Sequence, residues 1–375
     1  MRAHRFMQQA VTPGDREYMR RALALAARGW GRVHPNPLVG AVVVRDGEVV
    51  GEGAHGEYGG PHAEVVALKA AGERARGATL YVTLEPCAHY GKTPPCTDAI
   101  RAAGVARVVM AVRDPSPVAG GGAERLRAEG IEVVEGVERE AARAQNAAFF
   151  HGYEAGTPFV ALKYALSLDG KLAAAPGRPT AVTGAEARAE AHRLRAGFDA
   201  ILVGIGTVLA DDPLLTVRGG VTPRIPPRRI VVDTAARLPL DSRLMRTIGD
   251  APVAVVCAAD APAARRAALE RAGARVLPVP RAESGVALDA MLAALRDEGV
   301  HAVFCEGGGR LGTALLAADR VERMFLFIAP RIFGPTGVSA FGGDLARGAA
   351  AGWRLRRLEA FGNDALVVLD RARGS

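Results

Sequence analysis

Short apolar runs and longer amphipathic stretches alternate along this chain, and their spacing predicts its elements. Residues 14–29 carry Leu23, Ala26 and Ala27 along one helical face, behind an Asp15 that can cap the start. Residues 39–44 and 48–52 flank Asp46-Gly47, a two-residue turn that favours a β-hairpin. A helix is expected over 62–76, with Pro61 suited to its first turn. Residues 79–84 read as a strand, 96–103 as a helix and 107–112 as a strand, with further helix, strand and helix signals to about Phe150. Gly120-Gly121-Gly122 reads as a flexible or turn-rich loop.

A second unit begins near Gly156-Thr157-Pro158. Residues 159–166 predict a strand and 184–196 a helix. Apolar runs at 199–203, 229–233, 253–257, 275–279 and 301–305 continue the alternation, and 322–329 and 355–369 look strand-rich. Pro-rich residues 223–227 fall inside this unit and mark a loop rather than a boundary. The expectation is an α/β chain of two domains, 1–155 and 156–375, each a sheet packed between helices.

Composition narrows the class. A hydrophobic fraction of 49% in 375 residues suits a globular protein with two cores. No stretch resembles a signal peptide or a membrane span. Four Cys do not make a disulfide framework, so a reducing cytoplasm is the simplest setting. The net charge of +8 raises the question of nucleic acid. The arginines, however, are spread along Ala-rich helices with Glu between them, and aromatics are 5%. Most of this charge reads as solvated surface, with some available to attract a phosphorylated small substrate.

The chemistry concentrates in His62-Ala63-Glu64, Pro86-Cys87 and, after eight intervening residues, Cys96. One His and two Cys can give three ligands to a tetrahedral zinc and leave a fourth position for water. Zinc lowers the pKa of such a water to about 7. Glu64 can take its proton and deliver one to a departing amine. The pattern resembles the His-x-Glu and Pro-Cys signature of zinc deaminases, whose two cysteines stand closer together. A purely structural His with two unrelated Cys is the bland alternative.

Larger segments carry a closer resemblance. Asn36-Pro37-Leu38-Val39-Gly40, Gly53-Ala54-His55, Pro61-His62-Ala63-Glu64 and the stretch from Thr83 through Cys87 to Cys96 resemble the deaminase half of the bifunctional riboflavin-biosynthesis deaminase/reductases, including the long cysteine spacing. Ser167-Leu168-Asp169-Gly170-Lys171, residues 199–213, Leu215-Thr216-Val217-Arg218 and Glu306-Gly307-Gly308-Gly309 resemble the reductase half. The resemblance implies a three-layer cytidine-deaminase-like domain followed by a dihydrofolate-reductase-like domain. It implies Zn2+ and NADPH as cofactors and two consecutive steps on one phosphorylated pyrimidine. An amine is first replaced by oxygen, and the ribosyl group is then reduced to ribityl.

By motif position the resemblance makes His62, Cys87 and Cys96 zinc ligands and Glu64 the proton shuttle. Asn36, His55, His89 and Lys92 would line the pyrimidine or phosphate pocket; a turn-capping Asn36 and a solvated Lys92 are the bland alternatives. Lys163, Arg195, Leu215, Arg218 and Glu306 would contact the reductase substrate, and guanidinium forks at Arg195 and Arg218 suit a phosphate. Ala165, Thr207, Asp211, Gly308, Gly309 and Gly312 would lie on the cofactor side, with Asp211 also a candidate proton donor. Asp212, before Pro213, shapes a turn.

Two segments depart from the family. A Ser-x-Trp segment before Thr183-Gly184 is replaced by Arg178-Pro179-Thr180-Ala181-Val182, and an Asp-Pro-Asn-Pro segment reads Asp114-Pro115-Ser116-Pro117. Two other readings compete: a nucleic-acid-modifying zinc deaminase with an accessory domain, and a zinc-stabilised binding module. The second needs a fourth protein ligand. Small-molecule chemistry without nucleic acid or membrane is the leading expectation, and a homo-oligomer stays open.

Overall fold

The computed structural model describes residues 11–91, 94–177, 180–342 and 352–372. The chain divides into two compact units, Met1–Glu154 and Ala155–Ser375, one residue before the boundary read from the sequence. Among the described residues no helix is long and apolar enough to cross a membrane.

The first unit runs α1 (Pro13–Ala26), β1 (Gly40–Arg45), β2 (Glu48–Ala54), α2 (Ala63–Ala71), β3 (Thr79–Val82), α3 (Cys96–Ala102), β4 (Arg107–Met110), α4 (Gly122–Ala128), β5 (Glu132–Glu135), α5 (Arg139–Gln145) and α6 (Ala147–Glu154). Its sheet has the order β2-β1-β3-β4-β5. β1 is antiparallel to both neighbours, and β3, β4 and β5 are parallel. Period-two side chains split into two cores. Ala41, Val43, Leu80, Val82, Val108 and Met110 pack with residues of α2, α3 and α4. Val42, Val44, Tyr81 and Val109 pack with Met19, Ala22 and Leu25 of α1, Ala142 of α5 and Phe150 of α6. The result is the expected three layers.

Three local expectations change. Thr12, not Asp15, is the N-cap of α1; Asp15 sits at the third helical position and returns the hydrogen bond, completing a capping box. Pro61 stays outside α2, because His62 is its N-cap. Gly122 opens α4 rather than a flexible loop, and a side chain there would overlap the Pro86 carbonyl.

The second unit begins with β6 (Phe159–Ser167), β7 (Lys171–Ala173), α7 (Ala185–Arg195), β8 (Ala200–Gly204), α8 (Ile205–Asp211), β9 (Arg228–Val232), α9 (Arg243–Arg246), β10 (Val253–Ala258) and α10 (Ala263–Arg271). It continues with β11 (Arg275–Val279), β12 (Arg281–Ala282), β13 (Gly285–Val286), α11 (Leu288–Asp297), β14 (Ala302–Cys305), α12 (Gly309–Ala317), β15 (Arg323–Ala329), β16 (Val338–Ser339), β17 (Trp353–Phe361) and β18 (Asp364–Arg371). Among the described residues a nine-stranded sheet has the order β11-β10-β9-β8-β14-β6-β15-β18-β17. It is parallel from β11 to β15 and antiparallel through β18 and β17.

The chain leaves β8 toward β9 and leaves the neighbouring β14 in the other direction, toward β15. Such a switch point opens a crevice at the carboxyl ends of the strands, where ligands bind in open α/β sheets. Glu306 and the glycines 307–309 follow β14 there, and Thr207 lies in the first turn after β8.

Candidate active sites

The zinc set is assembled from three element ends. His62 caps α2, Cys96 opens α3 and Cys87 lies in the loop after β3. The imidazole Nδ1 lies 3.2 Å from Cys96 Sγ and 3.5 Å from Cys87 Sγ. All three donor atoms fall within 4.8 Å of one another. Zinc at ordinary bond lengths places tetrahedral N and S ligands about 3.6 Å apart, so the donor set fits that ion. The Cys96 N–H donates to Cys87 Sγ at 3.3 Å. The Cys96 thiol donates to Cys87, and His62 lies beside it; together they hold the Cys87 thiol well below its ordinary value. No fourth protein ligand joins the set among the described residues, as an open site requires.

Glu64 stands in the first turn of α2 and is 3% exposed. Burial pushes its carboxyl up to about 7, with His62 acting against that rise and Cys87 adding to it. A carboxyl near neutrality can both accept and return a proton.

These groups open on one cavity of about 320 Å³ that Asn36, His55, His62, Glu64, Cys87 and His89 help to line. His55 Nδ1 lies 3.1 Å from the Pro61 carbonyl, which can only accept, so Nδ1 carries the proton. Its Nε2 then accepts from Asn36 Nδ2 at 3.1 Å. Burial lowers the His55 pKa and keeps the ring neutral. Asn36 is therefore held with its amide oxygen free to accept. His89 Nδ1 is buried with no hydrogen-bond partner among the described residues, an orphan that a polar ligand would satisfy. Lys92 lies outside the described residues.

The sequence did not single out Glu85, a buried residue that helps to line this cavity. Its carboxylate accepts from the backbone of Asp114 at 3.1 Å and of Ala123 at 3.0 Å, tying the cysteine loop to the 114–123 segment. Phe149 and Tyr153, which the sequence also did not single out, line the cavity, as does Asp114 of the Asp114–Pro117 segment. Burial pushes the Asp114 carboxyl up to about 6.

In the second unit Lys163, Arg195 and Glu306 converge. Lys163 Nζ reaches Glu306 Oε2 at 3.3 Å. Arg195 donates to Glu306 from Nε, and from its second terminal nitrogen at 3.1 Å. Its first terminal nitrogen donates to the Thr216 carbonyl at 2.9 Å and approaches His192 Nδ1 at 3.3 Å. The fork expected to hold phosphate is thus largely engaged by Glu306 and Thr216. Arg218 is exposed, and its charge, after burial and that of Arg195, helps hold His192 down at about 4. Leu215 is buried and Ala165 half-buried; Asp211 is exposed at the end of α8. Burial raises the Asp211 pKa.

Of the residues expected on the cofactor side, Gly308 N–H donates to Thr207 Oγ1 at 3.2 Å, linking the turns after β14 and β8. A side chain at Gly309 would meet the Ser339 carbonyl oxygen at 2.8 Å, and one at Gly312 would overlap the Tyr164 hydroxyl. Packing alone demands glycine at both. Gly206, in the first turn of α8, has open space where a side chain would stand.

Comparison with known proteins places both units. Residues 13–112 match the cytidine and deoxycytidylate deaminase zinc-binding region, and residues 158–367 match the RibD C-terminal domain. The riboflavin biosynthesis protein RibD of Aquifex aeolicus is 43% identical over 361 residues, covering 95% of this chain and 98% of that protein. This chain belongs to the RibD family. Its relative in Escherichia coli is 42% identical over 335 residues, covering 85% of this chain and 89% of that one. The solved RibD of Acinetobacter baumannii superposes with a TM-score of 0.81 at 36% identity, covering 96% of this chain and 99% of that one. The diaminohydroxyphosphoribosylaminopyrimidine deaminase/5-amino-6-(5-phosphoribosylamino)uracil reductase of Thermotoga maritima gives 0.80 at 35%, with the same coverage. Family membership makes this chain a bifunctional deaminase and reductase of riboflavin biosynthesis, with Zn2+ and NADPH as cofactors.

Both departures from the RibD pattern have local accounts. Ser116 Oγ accepts from the backbone of Val118 at 3.3 Å and Ala119 at 3.2 Å, so its hydroxyl caps a turn at the cavity wall. Thr180 Oγ1 accepts from Ala174 N at 3.2 Å, and Arg331 donates to the Ala181 carbonyl at 2.9 Å. Arg178 and Pro179 lie outside the described residues.

Proposed function

We propose that His62, Cys87 and Cys96 hold the zinc, and that the cavity they share with Glu64 takes a phosphoribosylated diaminohydroxypyrimidine. The observation that carries this reading is a three-donor set with a buried carboxylate beside it, in a cavity also lined by His89, whose Nδ1 has no hydrogen-bond partner among the described residues. Zinc bound there would supply a water that is nucleophilic at neutral pH. Glu64 takes a proton from the attacking water and returns one to the departing amine; a C–O bond replaces the C–N bond and ammonia leaves. Asn36, held by His55, accepts from a ring N–H or amino group. Lys92 is assigned to the phosphate from sequence alone.

In the second unit bound NADPH would supply the hydride for the sugar carbon that bears the amine. A proton goes to the ring oxygen as the ribosyl ring opens to ribityl. Asp211 is the candidate donor of that proton. Lys163, Leu215, Arg218 and Glu306 form the substrate side, with Arg195 fixing Glu306. Ala165, Thr207, Gly308, Gly309 and Gly312 form the cofactor side. A small phosphorylated metabolite, rather than nucleic acid, fits a cavity of this size. Four free, buried cysteines fit work in a reducing cytoplasm.

Product mass spectrometry tests the reading. Zinc-loaded protein with the phosphoribosylated diaminopyrimidine should give the deaminated product alone, and the reduced product once NADPH is added. Folded, metal-replete protein that leaves the pyrimidine intact would sink it.

A further inference from the structure

Arg229, the second residue of β9, is 0% exposed and heads the fully buried side chains by size. Its guanidinium donates to four neutral oxygens. One terminal nitrogen reaches the Leu214 carbonyl at 3.2 Å and Thr247 Oγ1 at 2.7 Å. The other reaches the carbonyls of Thr247 at 2.7 Å and Ala251 at 2.5 Å. Its Nε has no partner among the described residues. A buried cation without a bonded carboxylate is a costly way to fill space, and an apolar side chain of similar volume would cost less. Something other than packing therefore selects the fork.

The Leu214 carbonyl shows what that is. The next residue, Leu215, has φ +54° and is 5% exposed. Asp212, three residues earlier, has φ +37°. A left-handed Asp212 is an ordinary helix C-cap, but a Leu rarely adopts this region. It persists there where its surroundings over-determine the backbone.

Here the surroundings are three arginines. The Arg243 backbone N–H donates to Asp212 Oδ1 at 2.8 Å, Arg229 holds the Leu214 carbonyl, and Arg195 holds the Thr216 carbonyl at 2.9 Å. Arg195 is the residue that pairs with Glu306. The strained turn is thus fastened to the Lys163–Arg195–Glu306 cluster on one side and to the buried fork on the other. A fork can span residues 214, 247 and 251 at once; an ammonium is a point donor and cannot.

We propose that Arg229 is a positioning residue for the reduction: it holds the 212–216 turn in its left-handed shape and so sets Leu215 and Arg218 against the substrate. The proposal rests on the reductase reading above. The test compares full-length, zinc-loaded wild type with Arg229→Met and Arg229→Lys, each also in a Leu215→Gly background. With the deaminated intermediate and NADPH, Arg229→Met should lose about 10- to 100-fold in kcat/KM, chiefly through KM, since displacing a site by about 1 Å can cost that much. Arg229→Lys should fall between, and deamination by the other unit should be unchanged. Glycine adopts positive φ without strain. In the Leu215→Gly background Arg229→Met should therefore change kcat/KM by less than about threefold, the non-additivity of coupled sites. Equal losses in both backgrounds would overturn the proposal and leave Arg229 a fold support.

Amide hydrogen exchange reads the clamp without turnover. Faster exchange confined to residues 212–218 supports it, and faster exchange throughout the unit overturns it. If Arg229→Met does not fold, Arg229→Lys and Thr247→Val carry the comparison; unchanged kcat/KM and unchanged exchange in both would defeat the proposal. Wild type that fails to reduce the intermediate, with exchange at 212–218 still governed by Arg229, refutes the reductase reading and the positioning role together, but not the clamp.

Discussion

At the end of β14 one carboxylate serves two cations. Burial alone would raise the Glu306 pKa, but Arg195 and Lys163 reverse that and hold it down at about 2. Its ordinary value is 4.5. A depressed carboxyl contributes stability that is full above the unfolded value and is lost as pH falls through the folded one. Glu306 should therefore give roughly 3 kcal/mol at neutral pH, fading between about pH 4.5 and about pH 2. Glu306→Gln should flatten that acid limb in urea titrations of the second unit. It should also cost about 3 kcal/mol at neutral pH, because two half-buried cations lose their counter-charge. Reduction should fall by at least about a hundredfold, while deamination persists. An acid limb identical in the two proteins would contradict this account. The sequence marks all three residues as site candidates, yet it offers no sign that Arg195 serves Glu306 before any phosphate. The pair is separated by 111 positions, and a periodicity reading reaches only a helix turn or a strand neighbour.

The placement of α2 governs the zinc set, because His62 is its N-cap. β2 lies close under α2, and side chains at Gly51 and Gly53 would collide with the carbonyls of Ala67 and Ala63. The obstacle at Gly53 is backbone at the first turn of the helix, which no rotamer change can relieve. Gly53→Ala should therefore shift α2 and with it His62 and Glu64. Zinc content, measured by metal analysis after dialysis, should drop, with deamination reduced about 10- to 100-fold. Full zinc occupancy in a folded Gly53→Ala protein would show that α2 is not seated this way. Helix and strand positions in this unit were legible because their apolar periods are clean. The helix starts were less so. Asp15 looks like a cap in sequence, yet its carboxylate also accepts from Tyr81 Oη at 2.9 Å and from Arg107 at 2.8 Å. Tertiary partners 66 and 92 positions away complete its role. Likewise Gly122 reads as a turn because nothing local reveals the Pro86 carbonyl against it.

The chain carries an excess of +8, and among the described residues many arginines are held in ion pairs. Arg107 pairs with Asp15 and Glu132, Arg113 with Glu124 and Glu135, and Arg323 with Asp370. Two of these pairs, Arg107–Asp15 and Arg323–Asp370, are largely buried, so part of the charge that the sequence reading placed on the solvated surface is structural. The chemistry read in the two units rests on two different donor sets. In the first, the proposed zinc set is one imidazole and two thiols. The second uses a carboxylate between two cations, with no thiol among Lys163, Arg195 and Glu306. Chelation should therefore separate them. Zinc stripped from the protein should abolish deamination of the diaminopyrimidine and leave NADPH-dependent reduction of the supplied deaminated intermediate within about twofold. Restoring zinc should restore the first step alone. In thermal scans zinc should raise the unfolding temperature of the unit with His62, and NADPH that of the unit with Glu306, each by the free energy of a ligand bound only to the folded state. Equal loss of both activities on chelation, with the second unit still folded, would mean that the metal serves the reduction as well, and the division of labour drawn from the two donor sets would be wrong.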